Sequence, residues 1–341
     1  MSNQEIINNI KAKLTKEKSV DVPYLKTELA IYQAMKNEEV VYAISQLLFN
    51  YLDRETKSDL DKKTHEILED RKEEYEKCRN LIFEGKLKEA KSILKKLTDL
   101  YEKLDSAKVQ NYFDFEQMID YILYCETVER ARTLNIKRYP EPVTHYFFEY
   151  ANICLEEKDY DEAIKYYEKA LRFNPRSIYI MENLINVYLE TKQKELAFNL
   201  CKECLVYAYT QEQFAFLYQV LGDLFYDMKK YDIAIASLIV SDHYRKQPLN
   251  KVKISNIVKE VGFIQFNDEN AILSLFEREN INYGPSRTLI ETVSEFIEYL
   301  KKLKDINGIK YLLTIMVELT DDEYYINQLN SLNKGEQHEK E

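Results

Sequence analysis

Glycine and proline are scarce in this sequence, with only 6 Gly and 6 Pro among 341 residues. β-Sandwiches, barrels and propellers need frequent turns built from these residues, and a nucleotide-binding α/β sheet needs glycines at its phosphate loop. Both architectures are therefore excluded. Because 45% of the residues are hydrophobic, the chain has ample apolar surface for a core. The composition predicts a long, all-α protein.

Positive charge is also in short supply, because 48 Lys and Arg stand against 59 Asp and Glu, a net charge of −11. An acidic chain without a basic cluster has little affinity for nucleic acid or anionic lipid. No apolar run approaches the roughly 20 residues of a membrane-spanning helix, and residues 1–18 lack a secretory signal's apolar stretch. Five scattered cysteines fit a reducing compartment. We therefore expect a cytoplasmic protein with no nucleic-acid or membrane partner, and the abundant Ile, Lys, Asn and Tyr indicate a bacterial source.

Motifs that carry catalytic or metal chemistry are missing as well. The four histidines have no partner at metal-binding spacing, and neither a Gly-x-Ser-x-Gly elbow nor a dinucleotide-binding fingerprint occurs. Gly85 begins a stretch close to the phosphate-loop pattern, but Ala90 stands where the second glycine belongs and a charged helix precedes it. We predict a protein that is not an enzyme and has no catalytic residue, metal or cofactor.

Apolar residues recur along almost the whole chain at the spacing of amphipathic helices. One stripe covers 147–154, a short turn follows at 157–161, and a second stripe covers 163–170 before Pro175 ends it. These positions resemble the tetratricopeptide repeat, in which a small residue such as Ala163 lets the two helices of a pair approach closely. The resemblance implies a right-handed α-solenoid of antiparallel helix pairs.

The same pattern returns twice, with its small residue at Ala197 and Ala234, so we predict three repeats over 143–248. Flanking segments keep the apolar spacing but lose the small residues. The expected organisation is an N-terminal helical region at 1–72, a degenerate helix pair followed by a long helix at 73–134 (the helix at 108–134), the three repeats, degenerate pairs at 249–333, and a flexible tail at 334–341.

Cys201 and Cys204 form a Cys-x-x-Cys pair, which in other settings is a redox or zinc motif. A redox pair begins a helix after a strand, and a zinc site needs two further ligands at matching spacing. Here both cysteines continue the apolar stripe of a second helix, in the positions that Tyr167 and Ala170 hold one repeat earlier. We predict that they pack in the core.

The first helix of each pair lines the concave groove of a tetratricopeptide array, so the resemblance implies which side chains meet a partner. The expected partner-binding residues are Phe148, Asn152, Glu156, Tyr179, Glu182, Asn186, Glu190, Phe216, Gln219, Asp223, Tyr226 and Asp227. The fifteen positions that map to the groove hold five carboxylates and no Lys or Arg. The cations with which some family members clamp a C-terminal carboxylate are therefore missing.

Carboxylates around aromatic rings attract Lys and Arg, both by charge and by cation–π contact. One hypothesis is that the groove binds a basic, partly apolar peptide or helix. The alternative is that its acids merely follow from the net charge of −11 and that its aromatics pack against neighbours. The sequence leaves both open.

A non-enzymatic scaffold or adaptor that binds a protein or peptide is the function that this sequence favours. An alternative is a peptide-sensing regulator, with an N-terminal helical effector region and a tetratricopeptide receptor domain, although residues 1–35 show no helix-turn-helix of base-reading residues. A third possibility is a homo-oligomer that associates through exposed apolar residues of the C-terminal pairs.

Overall fold

The computed structural model describes residues 2–106, 112–128, 136–262, 264–266 and 268–338. The helices are α1 Asn3–Ala12, α2 Lys18–Ala34, α3 Glu38–Asn50, α4 Arg54–Phe83, α5 Leu87–Ser106, α6 Met118–Thr127, α7 Val143–Glu156, α8 Tyr160–Phe173, α9 Ile178–Glu190, α10 Lys194–Tyr207, α11 Gln211–Asp227, α12 Tyr231–Tyr244, α13 Pro248–Val261, α14 Glu269–Arg278, α15 Arg287–Leu303, α16 Ile306–Thr320 and α17 Glu323–His338. The strands β1 Tyr112–Phe113 and β2 Lys137–Arg138 pair in parallel. The all-α class predicted from composition is confirmed.

The chain divides into two compact units. The first comprises Met1–Asp114 and Asn135–Ile153, and the second comprises Phe115–Leu134 and Cys154–Glu341. In the first unit, α1, α2 and α3 enclose a core of five buried aliphatic side chains, namely Ile7, Ile10, Leu25, Val40 and Ile44. This core is built from the apolar stripes of three amphipathic helices.

One turn design recurs between consecutive helices of a pair. The second residue after the first helix adopts a left-handed conformation, as at Lys158, Lys192 and Lys229, whose φ angles are 60°, 60° and 58°. The next N–H then donates to a carbonyl five residues earlier, for example from Gln193 to Tyr188 at 2.7 Å. This closure satisfies carbonyls that the end of a helix leaves unpaired.

Among the described residues the same closing bond occurs seven times: in α2–α3 (Asn37 to Tyr32), α4–α5 (Lys86 to Leu81), α7–α8 (Asp159 to Cys154), α9–α10 (Gln193 to Tyr188), α11–α12 (Lys230 to Phe225) and α15–α16 (Asp305 to Leu300), and at the end of α14 (Ile281 to Phe276). Gly85 occupies the left-handed position of the second of these turns, with φ of 74°. It therefore ends a helix, as the sequence suggested, and is not part of a phosphate loop between a strand and a helix.

Small residues bring the two helices of each repeat together in the second unit. Ala163, Ala197 and Ala234 are fully buried near the start of their second helices. Gly222 is also in close contact, since a Cβ added there would lie 2.8 Å from Leu238 Cγ in the facing helix. Helices α11 and α12 are thus held too close for any side chain at this position.

The turns that join successive repeats are hydrogen-bonded to a helix outside the repeats, α6. Asn174 Nδ2 donates to Asp120 of α6 at 2.7 Å, and Arg176 Nε donates to Thr127 at the end of α6 at 2.8 Å. Nearby, the hydroxyls of Tyr209 and Tyr311 both donate to Gln117 Oε1, at 3.3 and 2.9 Å. We call these turns, residues 174–177 and 208–210, the inter-repeat edge. Helix α6 contacts it, and α16 meets Gln117 at the start of α6 through Tyr311.

The long helix predicted over 108–134 is wrong where the structure describes it. Strand β1 and helix α6 occupy this interval, and residues 107–111 and 129–135 lie outside the described ranges. Asp114 explains the break, because its carboxylate accepts the Thr144 N–H at 2.8 Å and its carbonyl accepts the Thr144 hydroxyl at 3.0 Å. Those bonds replace the helical ones that a continuous helix would need.

Two predicted boundaries also differ from the helices. The limit at 72/73 falls inside α4, a continuous helix of 30 residues. The tail expected from 334 begins as the last part of α17, whose backbone continues to His338. Lys, Glu and Gln are good helix formers, so a polar stretch without apolar spacing extends a helix once packing has started it.

Candidate functional site

Three consecutive first helices of the second unit, α9, α11 and α13, present side chains at corresponding positions. We call this surface the first-helix face. Its exposed aromatic residues are Tyr179 on α9, 59% exposed, and Tyr226 on α11, 40% exposed. Asn186, Glu190 and Asp227 are exposed as well, while Phe216, Gln219 and Asp223 are half-buried. Side chains of this size stay accessible on α9 and α11 because the apolar stripes of these helices point the other way, into the repeats.

Two of the predicted groove acids are already neutralised. Asp223 Oδ2 lies 2.6 Å from Lys253 Nζ of α13, and Asp227 Oδ2 lies 2.7 Å from Lys194 Nζ at the start of α10. The groove positions themselves do lack Lys and Arg, but cations reach their carboxylates from other helices. The electrostatic attraction expected at these two positions is thereby reduced.

Glu182 is the carboxylate that burial affects most on α9. Burial raises its pKa from 4.5 to about 7, and no ion pair to Glu182 occurs among the described residues. Its charge also raises the pKa values of the Cys201 and Tyr209 side chains, so it acts on a thiol of α10 and on a phenol of the inter-repeat edge. A cation brought to Glu182 would recover part of the cost of ionising it.

The α7 residues differ from one another in accessibility. Phe148 is only 7% exposed, so this side chain is buried and does not offer surface to a partner. Asn152 is half-buried and Glu156, at the end of α7, is exposed. Phe148 is thus a correction to the predicted site, because an aromatic at a groove position of a helix can also be covered by neighbouring chain.

A pocket of about 210 Å³ opens between α11, α12 and α13. Asp223, Tyr226, Lys253 and Asn256 supply its polar lining, with Gly222, Leu238 and Ile257 behind them. At its rim, Glu260 accepts hydrogen bonds from the hydroxyls of Tyr226 at 2.9 Å and Tyr231 at 2.8 Å. The pocket extends the first-helix face by one helix beyond the three predicted repeats.

Sequence reasoning missed the contribution of α13. Asn256 follows Asp223 by 33 positions, and Asp223 follows Asn186 by 37. Continuing the repeat spacing would have placed Leu249, Val252 and Asn256 on the same face, although α13 lacks the small residues that mark the earlier repeats. The spacing of the repeats therefore indicated that α13 belongs to this face, whereas its residue types did not.

Cys201 and Cys204 lie in the core, as predicted. Both are fully buried free thiols, with Cys201 Sγ 3.3 Å from the Leu217 carbonyl and Cys204 Sγ 3.5 Å from Met181 Sδ. Burial raises the pKa of each thiol above its usual value. They are packing residues and poor nucleophiles at neutral pH.

Helix pairs closed by one repeated turn, with small residues at their contact and a polar first-helix face, define a helical-repeat protein. Residues 145–177 match the profile of the tetratricopeptide repeat, which places that repeat on α7, α8 and the turn that follows. Across the described ranges, no helix is both long and apolar enough to cross a membrane, and no three His, Cys, Asp or Glu side chains cluster as metal ligands.

The chain is also similar to the Hsp70-Hsp90 organising protein of Plasmodium falciparum (isolate 3D7), at 33% identity over 116 residues. The matching region covers 32% of this chain and 20% of that relative, so the chain spans about a fifth of the relative's length. The chain thus contains a match to the tetratricopeptide repeat at 145–177 within an all-α fold of helix pairs.

Proposed function

We propose that this protein is a non-enzymatic adaptor that binds another protein or a peptide on its first-helix face. The observation that carries the proposal is the exposure of Tyr179 and Tyr226 on a face that also holds the uncompensated carboxylate of Glu182. The repeat match at 145–177 and a relative whose name describes an organiser of two other proteins support a protein-binding role.

The ligand chemistry that this face favours is a basic segment with some apolar side chains. A Lys or Arg beside Glu182 would lower the pKa of that carboxyl and make a charge-assisted hydrogen bond. Exposed aromatic rings such as Tyr179 add cation–π and apolar contacts, each worth about 0.5–2 kcal/mol. Asp223 and Asp227 contribute less, because Lys253 and Lys194 already neutralise them.

Affinity capture with the intact chain tests this proposal when three variants are compared. Glu182→Gln and Glu190→Gln each remove an α9 carboxylate that forms no ion pair among the described residues. Asp227→Asn is the matched control, because it removes an equal charge that is already paired at 2.7 Å. Retained proteins are identified by mass spectrometry at two salt concentrations. We expect both Glu variants to lose the retained protein and Asp227→Asn to keep it, with less retention at high salt.

Equal retention by the parent and the three variants would show that the first-helix face does not bind the partner and that binding occurs elsewhere on the chain. If nothing is retained, the competing interpretations are a peptide-sensing regulator and a self-associating protein. Light scattering then separates them, because self-association raises the measured mass of the protein alone. A sensor changes its conformation only when a peptide is added.

A further inference from the structure

The pocket between α11, α12 and α13 has an apolar back wall. Gly222 has no side chain, and Leu238 and Ile257, which line the pocket beside it, are 1% and 2% exposed. An occupant would therefore meet backbone and aliphatic carbon at the back of the pocket. The pocket volume of about 210 Å³ exceeds that of a cavity of about 150 Å³, which is large enough to bind benzene. One aromatic ring therefore fits this space.

The charged groups of the pocket wall are already paired with one another. Lys253 Nζ lies 2.6 Å from Asp223 Oδ2, and both side chains line the pocket. Because the other lining residues are uncharged, the wall carries no net charge. A charged occupant would lose hydration on entry without gaining an unpaired counter-charge. The electrostatics of the wall therefore favour an uncharged side chain.

Tyr226 supplies an aromatic wall that is held in position. Its hydroxyl donates to one carboxylate oxygen of Glu260 at 2.9 Å, and the Tyr231 hydroxyl donates to the other at 2.8 Å. The two rings also contact each other edge to face, with centroids 5.9 Å apart. A ring fixed in this way loses little conformational freedom when a partner packs against it. Offset and edge contacts with Tyr226 therefore favour an aromatic occupant over an aliphatic one.

The mouth of the pocket continues into exposed apolar surface on α13. Leu249 is 65% exposed and Val252 is 56% exposed. They precede Asn256, which lines the pocket, by seven and four positions, so the three residues share one side of the helix. A segment whose side chain enters the pocket would cover these two neighbours. Exposed apolar side chains grouped around a pocket are typical of a surface that a partner covers.

We propose that this pocket receives one uncharged aromatic side chain of the bound partner, a Phe or Tyr that packs against Tyr226 while flanking partner residues cover Leu249 and Val252. This inference rests on the proposed function and specifies the residue that anchors its ligand. The occupant follows from the volume of the pocket, the paired charges of its wall and the fixed ring at its side. An aromatic side chain in a desolvated pocket carries a large share of the affinity in many protein interfaces.

Disulfide trapping at the mouth of the pocket measures which side chain it accepts. Asn256→Cys introduces a thiol there, and the five natural cysteines are buried free thiols. The full chain is equilibrated with mixed disulfides that carry benzyl, isobutyl, aminoethyl or carboxyethyl groups, while 2-mercaptoethanol competes. Intact-mass spectrometry gives the 2-mercaptoethanol concentration that displaces half of each probe. We expect the benzyl probe to withstand about tenfold more 2-mercaptoethanol than the other three.

Ser255→Cys is the matched control for trapping. Ser255 is the neighbouring exposed residue of α13 and is not one of the lining residues, so it reports the intrinsic stability of each mixed disulfide. At this position we expect the four probes to be displaced within about twofold of one another. The parent chain measures any labelling of the natural cysteines. Circular dichroism verifies that both variants keep the helical content of the parent.

A displayed library of random twelve-residue peptides, selected on the full chain, tests whether a bound segment uses the pocket. We expect enriched peptides to share a Phe or Tyr whose replacement by Ala weakens binding about tenfold in fluorescence anisotropy. Asn256→Trp, which places a bulky ring at the mouth, is expected to weaken the same peptides about tenfold, while Ser255→Trp leaves them unchanged. The two losses are not expected to add, because both remove the same contact.

The outcomes separate this inference from the proposed function. A benzyl probe that is displaced as easily as the others would overturn the aromatic anchor. Peptides that bind Asn256→Trp as well as the parent but lose affinity for Glu190→Gln would also overturn it, while supporting the proposed function. The absence of any enriched peptide would overturn both, because the face would then bind no segment of this size. Preferential trapping of benzyl together with non-additive losses supports the inference.

Discussion

The buried carboxyl of Asp120 makes a sharp prediction about how α6 is held. Asp120 lies in the first turn of α6, is 4% exposed, and accepts the Asn174 side-chain amide at 2.7 Å and the Gln117 N–H at 3.2 Å. The other side-chain atom of Asn174, Oδ1, is buried and has no hydrogen-bond partner among the described residues. A protonated Asp120 could donate to the Asn174 amide oxygen if the amide turned, and the Nδ2 group would then occupy the buried place that lacks a partner.

Burial raises the pKa of Asp120 from 3.8 to about 6, against the opposing effect of the Asn174 and Gln117 hydrogen bonds. The docked helix therefore holds a proton that the undocked helix releases. Stability from this proton is complete below pH 3.8 and is lost as the pH rises through about 6. At 1.36 kcal/mol per unit, the shift costs docked α6 about 3 kcal/mol at pH 7.5. Asp120→Asn mimics the protonated side chain and is expected to remove this cost.

Hydrogen exchange of α6 amides, followed by mass spectrometry and corrected for intrinsic exchange rates, measures the effect. Relative to Asp120→Asn, the protection of the parent α6 is expected to fall about tenfold between pH 5 and pH 7.5. Asp120→Ala is the control, because it leaves the Asn174 amide without an acceptor and is expected to lose protection at both pH values. Parallel pH profiles for the parent and Asp120→Asn would refute the reasoning.

Three further predictions concern the repeats. Gly222→Ala is expected to destabilise the chain by about 1–3 kcal/mol in urea unfolding, because the new Cβ would lie 2.8 Å from Leu238; unchanged stability would contradict the close packing. Lys192→Gly is expected to raise the melting temperature in calorimetry, because a left-handed lysine costs about 1 kcal/mol; a lower temperature would argue against this. Cys201 and Cys204 are expected to resist iodoacetamide in the native chain and to react in urea, as counted by mass spectrometry; rapid native labelling would show that they are accessible.

The repeats were predictable from sequence because their packing constrains residue type. Ala163, Ala197 and Ala234 must be small for the paired helices to meet, and their spacing survives in the sequence. The pair α2–α3 was not recognised, since its turn is closed by Lys36 and Asn37 and followed by Val41 where alanine would mark a repeat. Its geometry is the same, but its composition is not. Many residue types can occupy the left-handed position that closes such a turn. The turn therefore gives only a weak signal in the amino-acid sequence.

The first-helix face was predictable only in part, because its chemistry depends on contacts between distant positions. Tyr179, Asn186 and Glu190 are accessible as their helical positions suggested. The neutralisation of Asp223 by Lys253, 30 positions away, depends on where α13 packs, which no local pattern reveals. The same applies to Phe148, since helical spacing places a side chain on a face but does not say whether other chain covers it.

Because α6 lies at the inter-repeat edge, the pH experiment and the binding experiments report on different surfaces. Asn174, Arg176 and Tyr209 of the inter-repeat edge hold α6 through side-chain hydrogen bonds, whereas the pocket beside Asp223 opens at α13. Releasing α6 would therefore uncover the inter-repeat edge without changing the charges on α9 and α13. If binding at the first-helix face is as proposed, Asp120→Asn alters the protection of α6 and leaves the Glu190-dependent retention of the partner unchanged. A change in both would mean that the two surfaces are energetically coupled.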